Sequence, residues 1–142
     1  MKVIEHSPVH GTAVAVGGRG FLILGGSGSG KSGLALQMMA LGADLVSDDQ
    51  VRLERINDSV ELSAPETLVD MIEARFVGIL KVSSVSKAAL HHVIDLDAEP
   101  KARLPQLQVC DVLGVRIDLI NGRNVPNLTS ILMILGRSER HS

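Results

Sequence analysis

An α/β fold, a mixed β-sheet with flanking helices, is predicted by three observations. The stretch Gly25-Gly26-Ser27-Gly28-Ser29-Gly30-Lys31-Ser32 fits the phosphate-loop pattern G-x-x-x-x-G-K-[ST] at every fixed position. Its flanks have the matching character, with the apolar run Phe21-Leu22-Ile23-Leu24 before it and a helix-like run from Gly33 to Leu41 after it. Third, the loop is fed by a hairpin rather than a crossover: Thr12 to Val16, a turn at Gly17-Gly18-Arg19-Gly20, then Phe21 to Leu24. An antiparallel partner beside the loop strand is what makes the predicted sheet mixed.

The loop comes first because its chemistry is the most defined. Glycines let successive backbone N–H groups turn inward around phosphate oxygens, and the helix that follows directs its positive dipole end at the same anion. In this pattern Lys31 reaches the β- and γ-phosphates and Ser32 ligates Mg²⁺, while Gly25, Gly26, Ser27, Gly28, Ser29 and Gly30 line the cradle. A nucleotide or pyrophosphate is the expected ligand. The helix is predicted over Ser32 to Leu41, closed by Gly42. Leu34, Leu36, Met38, Met39 and Leu41 leave it little polar surface, so it is expected to be covered on most sides.

Asp44-Leu45-Val46-Ser47 reads as a short strand running into Asp48-Asp49. Following the loop helix directly, it is expected beside the loop strand with its C-terminal end at the phosphate site. Taken alone, Asp48-Asp49-Gln50 is a solvated turn. Next to a phosphate loop it supplies the carboxylates such a site needs, to hold a metal or orient the attacking group. Adjacent residues of an extended segment point opposite ways, so one Asp can face the metal and the other the acceptor.

Further on, Val51 to Ile56 and Ser59 to Ser63 flank Asn57-Asp58 as a second hairpin. Pro65 breaks the chain, Thr67 to Met71 is predicted as a helical turn, and Met71 to Val82 bends at Gly78. Ser83 to Lys87 is a polar loop, Ala89 to Leu96 a strand, and Glu99 to Pro105 an irregular connection. Val115 to Ile120 is another strand, Asn121-Gly122 a turn, and Asn124 with Pro126 opens a last helix to about Leu135, before a polar tail. Glu73 and Arg75 share a face if their segment is extended, as an ion pair or as a metal ligand beside a phosphate clamp. His10 precedes the loop hairpin and is either a surface residue or one that approaches the phosphates. His91 and His92 fall on opposite faces of a strand and read as structural.

The composition narrows the function class. With 142 residues the chain is predicted to form one domain over 1–142, with 45% hydrophobic and 21% charged residues as in a globular protein. A formal charge of −2 and only two aromatics, Phe21 and Phe76, disfavour a nucleic-acid partner. Short apolar runs and the absence of a leader pattern predict neither a membrane partner nor export, hence a cytoplasmic protein. The lone Cys110, among Leu107, Val109, Val112 and Leu113, reads as a core residue in a reducing compartment.

Taken together, His10-Gly11, the loop through Lys31-Ser32, Gly42 and Leu45-Val46-Ser47-Asp48-Asp49 resemble the catalytic C-terminal domain of the bacterial HPr kinase/phosphorylase family. The resemblance continues through Ile72-Glu73-Ala74-Arg75, Ala102-Arg103-Leu104-Pro105 and Gly122-Arg123-Asn124, and so covers nearly the whole chain. It implies a P-loop, phosphoenolpyruvate-carboxykinase-like scaffold, in a short form without the family's N-terminal domain. It also implies a serine kinase of HPr, a phosphocarrier of the sugar phosphotransferase system, using ATP or pyrophosphate, with reverse phosphorolysis of phosphoserine. On it, Asp49 is the general base, or acid in reverse, Lys31 stabilises the transferred phosphoryl group, and Ser32 and Glu73 hold Mg²⁺. His10 and Arg103 are further active-site residues, Asp48 joins the nucleotide site, and a homo-oligomer, a hexamer in the family, is expected. Arg75 is followed by Phe76-Val77-Gly78 where the family usually has Gly-Leu-Gly, and Ile117 to Asn121 lacks the proline-rich context that usually precedes Gly122-Arg123-Asn124. The alternatives are a small-molecule P-loop kinase and a catalytically degenerate nucleotide-binding regulator.

Overall fold

The computed structural model describes residues 1–65 and 70–138. Its strands are β1 (Lys2–Ile4), β2 (Val9–His10), β3 (Thr12–Val16), β4 (Arg19–Leu24), β5 (Asp44–Ser47), β6 (Gln50–Ile56), β7 (Ser59–Ser63), β8 (Met71–Ala74), β9 (Gly78–Lys81), β10 (Lys87–Asp95), β11 (Gln108–Val112) and β12 (Val115–Asn121). Two helices complete it, α1 (Lys31–Ala40) and α2 (Leu128–Arg137). The main sheet runs β1-β11-β12-β10-β4-β3-β5, and a wing of β7, β6 and β2 branches from the start of β10. β10 lies parallel to both β4 and β12, whereas β3 is antiparallel to its neighbours β4 and β5. The sheet is therefore mixed, as expected.

Alternation along the central strands sorts the core into two layers. On one face Leu22, Ala13, Ala15, Val93 and Val46 pack against the β6–β7 wing through Leu53, Val60 and Leu62. On the other, Phe21, Ile23, Val14, Val16 and Ile94 meet Leu34, Ala35 and Met38 of α1 and Leu132 and Met133 of α2. Both helices thus cover the same face. α1 buries one stripe only: Gly33, Gln37 and Ala40 are exposed, so it is not covered on most sides. Met38 is fully buried and Met39 half-buried because they fall on adjoining sectors of the helix.

Several expectations change. The strand β5 does not lie beside the loop strand, because β3 intervenes and pairs with both. Since β3 is antiparallel to each, β4 and β5 still run the same way. The last helix opens at Leu128 behind Asn127, whose φ is +61°, rather than at Asn124; Pro126 and the two left-handed asparagines keep the intervening residues in turns. Between β8 and β9 the chain reverses at Arg75-Phe76-Val77, and Gly78 begins the returning strand instead of marking the bend. The helical turn placed at Thr67 to Met71 lies outside the described residues except for Asp70 and Met71, and Met71 starts β8. Most of the polar tail lies outside them too. The strands β1, β2 and β11 were not anticipated, and Cys110 on β11 is fully buried. Among the described residues no helix is long and apolar enough to cross a membrane.

Candidate active site

The order β10-β4-β3-β5 sets the site. The C-terminal ends of β10, β4 and β5 and the N-terminal end of β3 emerge at one edge of the sheet. They deliver the segment after Asp95, the glycine loop, Asp48-Asp49 and His10-Gly11 to the same place. Gly11 is needed for this approach: a Cβ there would lie 2.8 Å from the Ile23 carbonyl oxygen. The Gly11 N–H donates to the Asp49 carbonyl at 3.1 Å, tying the two segments together.

The loop turns into α1 at Gly30, whose φ of +100° suits glycine alone. The Lys31 ammonium donates to the carbonyl oxygens of Gly25 and Gly26 at 2.9 and 3.1 Å, and the residue is 9% exposed. Its charge is thereby held against the inside of the loop. Ser29 Oγ is buried without a hydrogen-bond partner, which is unusual for a polar atom and leaves a donor uncommitted beside the cradle.

Asp48 and Asp49 divide their work, though not as neighbours on an extended strand. The strand β5 ends at Ser47, and Asp49 adopts φ +73°, so the pair forms a tight turn. One oxygen of Asp48, Oδ1, accepts from Thr12 Oγ1 at 2.8 Å and from Ser32 Oγ at 3.0 Å, linking β3, β5 and the first turn of α1. Asp49 is exposed and its Oδ1 lies 3.4 Å from His10 Nδ1. The Ser47 hydroxyl donates to the Gln50 carbonyl and closes the turn from behind.

A cavity of about 490 Å³ gathers Lys31, Ser32, Asp48, Asp49, Glu73 and Arg75. Glu73 comes from β8 and Arg75 from the turn after it, so both carry the hairpin β8–β9 over the loop helix. A second cleft of about 380 Å³ shares Asp48, Asp49 and Glu73 and continues along Met71, Ile72 and Ile79. The three carboxylates stand between the two chambers. Three carboxylates against two cations in the loop cavity would repel a polyphosphate unless a cation accompanied it. The donor set of Ser32 Oγ, Asp48 and Glu73 is all oxygen and suits Mg²⁺, which takes one or two carboxylates and completes its shell with water and phosphate.

Arg103 is not part of this gathering: it is exposed in the irregular segment after Pro100 and lines neither chamber. Arg123 and Asn124 lie on the other flank of the loop, in a cavity of about 390 Å³ with Ser27 and Asp97. His92 is structural as expected, its Nδ1 3.0 Å from Asp118 Oδ2 and its ring 4.9 Å from Phe21. One contact escaped the sequence. Asp97 accepts from the Gly26 N–H with both carboxylate oxygens, at 3.1 and 2.9 Å. Its signal was its place just past the end of a strand parallel to the loop strand, where sheets of this kind put their ligand-facing residues. A further cavity of about 620 Å³ lies between the Pro100–Gln106 segment and α2, with no titratable side chain in its lining.

A family profile described as HPr Serine kinase C-terminal domain matches residues 1–135. An HPr kinase/phosphorylase of Variovorax paradoxus is 32% identical, aligned over 93% of this chain and 49% of its own length. Another, from Caldanaerobacter subterraneus, is 42% identical over 59% of this chain and 28% of its own. The chain therefore spans about half the length, or less, of such relatives. A solved HPr(Ser) kinase/phosphatase from Coxiella burnetii superposes with a TM-score of 0.78 at 23% identity, covering 93% of this chain and 95% of that one. That match shows the fold: a mixed sheet with flanking helices, shared with the solved chain over nearly its whole length.

Proposed function

The chain belongs to the HPr serine kinase C-terminal domain family, and from that membership we propose that it transfers a phosphoryl group from ATP, or pyrophosphate, to a serine of an HPr-type phosphocarrier. The observation that carries this reading is the convergence of Lys31, Ser32, Asp48, Asp49 and Glu73 on one cavity at the sheet edge.

The donor's phosphates lie in the glycine loop, with Lys31 against the transferred group. Asp49, exposed at the border of the two chambers, accepts the proton of the serine hydroxyl as its oxygen bonds to the γ-phosphorus and the bond to the β-phosphate oxygen breaks. ADP leaves from the loop side. In reverse, inorganic phosphate attacks the phosphoserine, pyrophosphate departs and Asp49 returns the proton to the serine oxygen. His10, beside Asp49, orients that carboxylate toward the acceptor. Asp48 fixes Ser32 through the hydrogen bond between them. Ser32, Asp48 and Glu73 would hold Mg²⁺, which would supply charge neutralisation for the donor's phosphates. Arg75 clamps phosphate from the hairpin, and Arg103 takes part only if its segment folds toward the loop when the acceptor docks. We assign the chain to a reducing cytoplasm, which suits the free Cys110, and to a homo-oligomer like the family's hexamer.

The test is radiolabel transfer from γ-labelled ATP to a purified HPr-type carrier. Label on the carrier's serine supports the reading. Label on a metabolite but not on protein points to a small-molecule kinase, and Mg-ATP binding without any transfer points to a nucleotide-binding regulator.

A further inference from the structure

We propose that Asp97 is a positioning residue for Lys31, acting through the peptide of Gly26. The proposal rests on the phosphate-loop reading of Gly25 to Ser32, and it concerns a residue to which the family resemblance assigns no role.

The main chain of Gly26 is held at both ends. Its N–H donates to the two oxygens of Asp97 at 3.1 and 2.9 Å, while its carbonyl accepts from Lys31 Nζ at 3.1 Å and from the Ser29 N–H at 3.0 Å. A peptide group is rigid and planar, so fixing the N–H end of the Gly25–Gly26 linkage also aims the Gly25 carbonyl, the second acceptor of Lys31 at 2.9 Å. Glycine has no side chain of its own to hold these dihedrals, and an outside brace is therefore the natural means.

The brace is itself anchored. The Asp97 N–H donates to Asp95 Oδ1 at 2.9 Å, and Asp95 Oδ2 pairs with Lys2 Nζ at 3.4 Å. The Leu96 N–H donates to the Leu24 carbonyl at 2.9 Å, which clips the end of β10 to the last residue before the loop. A continuous path of polar contacts thus runs from β1 through the end of β10 to the loop lysine. A carboxylate beside an anion site is costly unless it does something there. Charge-assisted acceptance from a backbone N–H is about twice as strong as the neutral kind, and that is the gain here.

Two readouts on the full chain test this. In the first, Lys31 acetylation by acetic anhydride without nucleotide is followed by peptide mass spectrometry, with Lys81, 83% exposed at its side chain, as the internal standard. Asp97→Ala is expected to raise Lys31 reactivity roughly five- to tenfold, the worth of one lost hydrogen bond. Asp97→Asn, which keeps an acceptor for Gly26, is expected to stay near the native rate. In the second, calorimetry with Mg-ATP is expected to show binding roughly tenfold weaker in Asp97→Ala and largely restored in Asp97→Asn. Unchanged Lys31 reactivity in Asp97→Ala, or tighter ATP binding there, would overturn the proposal. So would equal losses in the Ala and Asn variants. Native ATP affinity in Lys31→Ala is a different result, because it would remove the phosphate-loop reading itself.

Discussion

His10 Nδ1 stands 3.4 Å from Asp49 Oδ1, and the two residues reach that contact from separate segments, β2 and the turn after β5. Both are exposed, so the contact contributes little to folding. On the proposed reaction its value is orientation of a carboxylate at the boundary of two chambers. Asp49→Asn is expected to cut phosphoryl transfer by about 10² to 10⁴, the usual worth of a general base, while leaving Mg-ATP binding intact. His10→Ala should lose less, because Asp49 keeps its proton-accepting oxygens. Label transfer and calorimetry on the same preparations separate the two effects, and a fully active Asp49→Asn would remove the base assignment.

Phe76 sits at the tip of the β8–β9 hairpin with φ +74° and is 99% exposed. A left-handed backbone costs a branched or bulky residue about 1–2 kcal/mol, and no burial of the ring offsets it. Phe76→Gly is expected to raise stability by about 1 kcal/mol, seen as a higher Tm and an unchanged m-value. If Tm stays the same, the conformation at Phe76 is not strained.

Gly11 admits no side chain, since the added Cβ would meet the Ile23 carbonyl oxygen at 2.8 Å and a Leu24 methyl at 3.1 Å. Gly11→Ala should therefore cost about 1–3 kcal/mol and push His10 away from Asp49. Denaturant melts read the first effect, and a transfer rate that falls alongside His10→Ala reads the second. A Gly11→Ala protein with native stability would show that the two strands can part without penalty.

Cys110 is fully buried, and burial pushes its thiol above the ordinary value of 9.0, with Asp111 and Asp95 adding to the rise and Lys2 opposing it. The folded chain thus holds its thiol proton more tightly than the unfolded chain does. The stability contributed is complete below pH 9.0 and is lost as the pH climbs through the higher folded value. Alkylation by iodoacetamide at pH 8 is expected to be slow until denaturant is added, and Cys110→Ser should flatten the alkaline limb of the stability profile. Rapid labelling of the folded protein would contradict the burial.

Much of the fold could be read from residues because its signals are local. The hairpin around Gly17-Gly18, the loop and its helix, and the hairpin around Asn57-Asp58 each carry their own turn chemistry. What escaped was set by distant partners. The two residues of β2 and the three of β1 are too short for any period to appear, and they are strands only because β6 and β11 receive them. The neighbour of β5 depended on where the β3–β4 hairpin inserts, which adjacency in sequence does not reveal. Lys31, Ser32, Asp48, Asp49 and Glu73 were each legible and do meet around one cavity. Asp97 was not, because its role lies in a contact to a main-chain N–H with no pattern of its own. Arg103 stays apart from them among exposed residues.

The strand β3, interposed between β4 and β5, sets the dimensions of the proposed site. In a sheet where the acidic strand adjoined the loop strand, the two backbones would be one spacing apart, about 4.8 Å. Here they are two spacings apart, roughly 10 Å. On the proposed reaction, that gap is wide enough to seat a phosphoryl group in line between a leaving oxygen in the loop and an incoming hydroxyl at Asp49. On the proposed function, one extra antiparallel strand turns a narrow nucleotide-holding edge into a transfer gap, and the hairpin turn at Gly17-Gly18 is what allows that strand to be there.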